Sequence, residues 1–428
     1  MKLAPVRKRL VTQARLAGLG ACSGVLAGLA AAAFLVSLAW ATATFDEHGW
    51  LLYALPVAGL AIGAAYHYGG GRSVEGNNLI LDEIHDPVEW VPRRMAPMVF
   101  VGTVATHLFG GSAGREGTAL QMSGSLTDLL SRCFGLDGAI RRHLLVAALA
   151  GGFGSVFGVP FAGVVFALEV QSVGGFDWSA LVPAIAAAFA GNLVVDALGV
   201  HHLATPELAG IGWDAALFAK VGLAGVAFGL TALVFTRATH LIKRGCARVF
   251  AWAPIRPAVG GVAVIALTLL VGTRAYNGLS LPLISQSFDG VPPPTWAFAW
   301  KLLFTAVTLG AGFVGGEVTP LFVIGATLGA TLSSVLGTPV PLLAAIGFVA
   351  VFGAAANAPV ACVVMGVELF GLSVLPYLAV GCGVAYLCSP HVGIYRSQRV
   401  RRSKWGLLGR SAPPSSSDGP TGPLPSGP

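Results

Sequence analysis

Between Ala17 and Phe45 the chain runs 29 residues without a charged side chain, more than the ~20 that a helix needs to cross a bilayer. Similar uncharged runs recur from Met95 to Gly114, from His143 to Leu168, between Arg256 and Arg274, and from Val318 to Val367. The last is long enough for two or more crossings. In hydrocarbon every backbone N–H and C=O needs a partner within the protein, so such runs are confined to helices packed on one another. Composition agrees: 55% of the 428 residues are hydrophobic and 11% charged, against roughly 25% charged in a soluble domain. The fold class is an all-α polytopic membrane protein. Ala17 to Phe45 is too long for the apolar core of a cleavable signal peptide, so none is expected.

The net charge is +7, and its placement matters more than its size. Lys2, Arg7, Lys8, Arg9 and Arg15 precede the first span, and Arg396, Arg399, Arg401, Arg402 and Lys404 follow the last. Basic residues accumulate on the cytoplasmic side, so both termini are expected there and the crossings should be even in number. Arg237, Lys243, Arg244 and Arg248 would mark a cytoplasmic loop midway. These groups flank apolar segments and lack interleaved aromatics, which speaks for a membrane surface and against nucleic acid. The six cysteines stand singly, with neither disulfide nor metal-ligand spacing, and no cofactor or metal is expected.

Taken in order, residues 1–16 read as a basic cytoplasmic lead-in, and a second span is expected from Trp50 to about Tyr68. The glycine-rich stretch from Gly69 leads to Asn77-Asn78, either of which could cap a helix or aim its amide at a ligand. Spans follow from about Pro92 to Phe109 and from Glu116 to Cys133. The run from Leu144 to Val170 contains too many breakers for one helix, and two helices meeting at Val159-Pro160 explain it. Later spans are expected from Asp177 to Asp196, Ala215 to Phe235, Arg256 to Gly272 and Trp296 to Phe313. Within the last of these, Lys301 is expected to snorkel to the membrane surface. Residues 406–428 read as a disordered cytoplasmic tail, rich in Pro, Ser and Gly from Ser411 onward.

Gly114-Arg115-Glu116-Gly117-Thr118 puts a carboxylate at the start of an apolar segment. The first N–H groups of a helix lack intrahelical partners and carry partial positive charge, so Glu116 or a small anion could occupy them. An acid at membrane depth is also a candidate proton carrier. The alternative is an acid that caps its own helix. The motif recurs: Gly114 to Leu120 matches Gly315-Gly316-Glu317-Val318-Thr319-Pro320-Leu321 at an offset of 201 residues. A second landmark, Val159-Pro160 to Glu169, matches Ala358-Pro359 to Glu368 at an offset of 199. Two landmarks in the same order at nearly equal spacing indicate a duplication. The expected halves are 17–205 and 206–405, each with broken helices opening on a glutamate, an arrangement suited to a transporter.

These motifs resemble the CLC family of chloride channels and proton-coupled anion antiporters, over roughly residues 17 to 405. Gly114-Arg115-Glu116-Gly117 is similar to that family's G-R-E-G-P motif, and Gly315 to Pro320 to its G-x-F-x-P region. The departures point to one branch. Thr118 replaces Pro, Asn77 replaces an anion-coordinating Ser, Glu317 occupies a usually apolar position, and Val170 stands where proton-coupled chloride members carry a relay Glu. This set resembles the fluoride/proton antiporters of the family, the CLC-F branch. The resemblance implies two inverted repeats with re-entrant helices, a homodimer with one pathway per subunit, and export of fluoride from a bacterial-type cytoplasmic membrane. It implies Glu116 as the gating proton carrier and Glu317 as a partner in transport. Around the anion it places Asn77, Gly117, Thr118, Val318, Thr319 and Tyr395.

Fluoride is small, strongly hydrated and a strong hydrogen-bond acceptor, so it leaves water only where amide and hydroxyl donors replace its shell. The nearest alternative is a chloride channel or chloride/proton exchanger of the same fold. A distant one is an intramembrane hydrolase using Glu116 with His107, against which stands the lack of an HExxH pattern. No enzyme activity is expected.

Overall fold

The structure is a computed structural model that describes residues 3–136 and 138–404, so the expected tail at 406–428 lies outside the described residues. Among these residues, helices carry almost all regular structure. The first half holds α1 (Leu3–Glu47), α2 (Leu55–Gly69), α3 (Asn77–His85), α4 (Met95–Leu108), α5 (Glu116–Cys133), α6 (Gly138–Phe157), α7 (Pro160–Glu169) and α8 (Leu181–Ala197). The second holds α9 (Ala215–Val249), α10 (Ile255–Val271), α11 (Leu281–Phe288), α12 (Ala297–Ala311), α13 (Val318–Leu336), α14 (Val340–Ala356), α15 (Pro359–Phe370) and α16 (Leu375–Cys388). One short parallel pairing, Ser172–Val173 with Arg399–Val400, pins the segment after α16 to the end of α7.

Five segments are long and apolar enough to cross a membrane as continuous helices: Leu10–Glu47, Gly49–Gly69, Trp178–Ala197, Ala215–Val249 and Val318–Leu336. Most other apolar helices are shorter, from 10 to 17 residues. The breaks follow from local chemistry. Gly158 (φ +73°) ends α6 and Pro160 opens α7; Asn357 (φ +55°) ends α14 and Pro359 opens α15. A left-handed residue terminates a helix and a proline two positions on starts the next. Asparagine is among the few residues other than glycine that tolerate this conformation.

Apolar side chains face both inward and outward. Phe322 stacks on Phe348 with ring centroids 4.0 Å apart, and Phe153 on Phe166 at 4.2 Å. At the α13–α14 crossing a Cβ added to Gly325 would lie 2.0 Å from the carbonyl oxygen of Gly347, so only glycine permits the approach. On the outer surface Leu193, Leu230 and Leu270 stand exposed, as suits contact with lipid chains.

Several boundaries differ from the sequence reading. The basic lead-in is not separate, because α1 continues through it from Leu3. Arg237, Lys243, Arg244 and Arg248 do not form a loop but occupy the last turns of α9. At 1.5 Å per residue that helix is roughly 52 Å long, so it projects beyond the hydrocarbon, and cations near its end complement the free carbonyls. Asn77 opens α3 without capping it, since Gly76 holds the cap position. Lys301 does not snorkel: it is fully buried, with its ammonium among oxygen atoms.

Candidate functional site

The two glutamate motifs meet at the centre of the molecule. The Gly114 N–H donates to the Gly316 carbonyl at 2.7 Å, and the Gly316 N–H returns to the Gly114 carbonyl at 2.8 Å. This isolated antiparallel bridge brings the N-termini of α5 and α13 face to face. Each helix has free amides at its start, so two partially positive ends converge on one spot at membrane depth.

Glu116 is fully buried and does not cap its own helix. It crosses to the other half, where its carboxylate accepts the Thr319 backbone N–H at 2.9 Å and the Thr319 hydroxyl. The Arg115 N–H donates to it at 3.2 Å, and the Arg115 guanidinium approaches to 3.5 Å. A carboxylate therefore occupies the anion position that the N-terminus of α13 creates.

A cavity of about 470 Å³ is lined among others by Asn77, Gln121, Lys243, Gly315, Glu317 and Tyr395. A second space, of only about 20 Å³, is surrounded by Arg115, Phe157, Leu203, Leu281 and Thr319. Among the described residues, three buried polar atoms of the larger cavity lack partners: Ser73 Oγ, Asn77 Oδ1 and the Tyr395 hydroxyl. Leaving such groups unpaired is costly in a dry interior, so their persistence fits a place that a polar guest visits. Asn77 Nδ2 packs against Gly117, only 3.0 Å from where a Cβ would stand. Lys243 and Arg396 lie close enough to Glu317 to act on its charge.

Of the residues expected around the anion, Asn77 and Tyr395 share the larger cavity with Glu317, while Gly117, Val318 and Thr319 form the paired helix starts. Thr118 is buried and turned away, its hydroxyl 2.7 Å from that of Thr103 on α4. Gln121, Arg115 and Lys243 are not among the site residues that the sequence suggests, whereas Asn78 is offered there as a cap or a ligand-facing amide. Gln121 was within reach, being a polar side chain just over one turn after Glu116 on an apolar-flanked helix. Asn78 accepts the Ser397 N–H at 3.2 Å, a contact spanning most of the chain that local pattern does not reveal. His107 places Nδ1 2.8 Å from the Thr103 carbonyl and Nε2 3.0 Å from that of Ala113, so neither ring nitrogen serves Glu116 as a catalytic partner.

Comparison with known proteins matches this geometry. The family described as voltage gated chloride channel matches residues 58–390. A chloride/fluoride channel protein of Pseudomonas syringae is 47% identical over 397 residues, covering 91% of this chain and 86% of its own. A crystal structure of a CLC-type fluoride/proton antiporter superposes with a TM-score of 0.88 at 35% identity, over 90% of this chain and 98% of that one. A slow cyanobacterial Cl⁻/H⁺ antiporter shares the fold, with a TM-score of 0.76 at 17% identity over 90% of this chain and 96% of its own. The crossed glycine bridge, the broken helices and these similarities together make the chain an integral membrane protein that belongs to the CLC family of voltage gated chloride channels.

Proposed function

We propose that the chain exchanges fluoride for protons across a bacterial-type cytoplasmic membrane, with Glu116 alternating with the anion at the N-terminus of α13. The seat of the Glu116 carboxylate on the Thr319 amide and hydroxyl carries this reading. An ionised carboxylate there excludes a second anion; a protonated one surrenders the position and takes a proton with it. Fluoride then meets amide N–H groups, the Thr319 hydroxyl, and in the cavity beyond it the Asn77 amide and Tyr395 hydroxyl, donors strong enough to replace water around a small anion. Glu317 lines the same cavity and is the second acid on the route. The names of the 47% identical relative and of the 35% identical structure support fluoride as the substrate.

In this reading residues 17–205 and 206–405 are the two inverted halves, both termini are cytoplasmic, and two copies form a homodimer with separate pathways. The cavity containing Lys243 and Tyr395 then faces the cytoplasm. The protein acts as a transporter, with no chemistry performed on its cargo. Liposomes loaded with fluoride, monitored by a fluoride electrode and a pH electrode together, test it: fluoride efflux should drive proton uptake. Efflux without any proton movement would make the protein a channel.

Chloride transport is the second reading. It is favoured by an H⁺/Cl⁻ exchange transporter of Cronobacter sakazakii, 27% identical over 82% of this chain and 81% of its own. The same liposomes loaded with chloride separate the two.

A further inference from the structure

Lys301 sits on α12 with no exposed surface, and among the described residues no carboxylate pairs with it. Its ammonium is held instead by four oxygens: Gly278 O at 2.7 Å, Ser112 Oγ at 2.9 Å, Ser280 Oγ at 2.9 Å and Tyr276 O at 3.3 Å. Burying a lysine this way is expensive, and truncating it would strand the Tyr276 and Gly278 carbonyls. An apolar residue would serve packing alone at lower cost, so the site calls for another explanation.

The oxygens come from two separate segments. One, at 110–114, leads directly to Glu116; the other, at 276–280, precedes α11. The same two segments are tied again by Asn277 Nδ2 to the Gly110 carbonyl at 2.7 Å and by the Gly278 N–H to the Gly111 carbonyl at 3.2 Å. Lys301 is also the first of three polar residues on one face of α12. Thr305 Oγ1 lies 2.9 Å from Ser112 Oγ, and Thr308 Oγ1 accepts the Ser112 N–H at 3.1 Å. Positions 301, 305 and 308 follow the four-and-three spacing of a helix face, and all three converge on Ser112. Four residues after Ser112 comes Glu116, and two after it Gly114, which bridges to Gly316.

We propose that Lys301, with Thr305 and Thr308 behind it, is a positioning residue that holds the 110–114 segment still while the Glu116 side chain moves. A fixed helix start lets the carboxylate and the anion alternate at one place; a loose one lets an anion slip past without proton exchange. This rests on the fluoride/proton reading above.

The experiment measures fluoride and proton fluxes in the same liposomes for the wild type and for Lys301→Met, which keeps the length of the side chain and removes its donors. If the wild type moves fluoride without protons, the reading of function fails whatever Lys301 does. With a coupled wild type, Lys301→Met should still pass fluoride while the protons moved per fluoride fall by roughly two-fold or more. Lysine serving only to hold the fold would reduce the amount of active protein and leave that ratio unchanged, and an unchanged ratio overturns the proposal. Should Lys301→Met fail to yield monodisperse protein, Ser280→Ala removes a single acceptor and is read in the same way.

Discussion

Glu116 and Thr319, 203 positions apart in sequence, form a carboxylate-to-helix-start contact that joins the two halves of the molecule. The acid belongs to α5 and the anion position to α13. Neither half contains the pair by itself, which makes the seat a property of the duplication and not of either motif alone. A neutral amide at position 116 has no proton to deliver and no charge to compete with. Glu116→Gln should therefore pass fluoride with no proton movement, as read by paired electrodes on one vesicle suspension; persistent proton pumping would remove Glu116 from the role.

Thr319 supplies two donors to this position, and only the hydroxyl can be removed by substitution. Thr319→Val keeps the volume and the backbone amide. A hydrogen bond to a charged group contributes about 1.5–3 kcal/mol, so fluoride affinity should fall by about ten-fold or more. The clean measurement is calorimetric titration in the Glu116→Gln background, where no carboxylate competes. Equal affinities with and without the hydroxyl would show that the bound anion does not sit against Thr319.

The bridge between Gly114 and Gly316 leaves no space for a side chain. A Cβ on Gly316 would come 2.8 Å from the Gly117 nitrogen and 3.1 Å from the Glu116 nitrogen, both backbone atoms that cannot swing aside. Gly316→Ala should push the two helix starts apart and abolish fluoride efflux in protein that still purifies as a folded species. Near-normal efflux would mean that the close approach is dispensable.

The second landmark of the repeat has the same crossed character. Glu169, at the end of α7, accepts the N–H groups of Val360 at 3.1 Å and Ala361 at 2.8 Å at the start of α15. Glu368, at the end of α15, accepts those of Phe161 at 2.9 Å and Ala162 at 2.6 Å at the start of α7. Each acid caps the other half's helix. Glu169→Gln and Glu368→Gln should each cost about 1–3 kcal/mol of stability, and since they share no partner the double variant should show roughly the sum. Thermal midpoints in detergent are the measurement. A double variant no worse than either single would indicate that one cap suffices.

Much of this could be read from the chain. The offsets relating Glu116 to Glu317 and Glu169 to Glu368 revealed the duplication, and the α6–α7 break was legible because Gly158 and Val159-Pro160 are strong local signals. What sequence did not reveal is which half each acid serves. Pattern at one helix suggests that Glu116 caps its own N-terminus, and only the antiparallel crossing of the halves sends it to Thr319. Lys301 misled for a related reason: a lysine near the end of an apolar run snorkels unless something inside receives it, and its acceptors come from loops 21 to 189 positions away. The extent of α9 was hidden as well, because a basic cluster reads alike whether it ends a helix or fills a loop.

Lys243 and Arg396 stand exposed beside the cavity that holds Glu317, and Lys243 contributes directly to its lining. Cations at the mouth of a low-dielectric funnel raise the local concentration of anions, an effect on capture and not on passage. Screening limits it, because the Debye length is about 10 Å at 0.1 M ionic strength and about 3 Å at 1 M. Lys243→Gln should therefore slow fluoride transport when fluoride and salt are both dilute, and the deficit should shrink as an inert salt is added or as fluoride saturates. Initial efflux rates across a series of gluconate concentrations separate this from damage to the pathway. A deficit independent of salt would place Lys243 in the pathway itself, in contact with the ion, and not at its mouth.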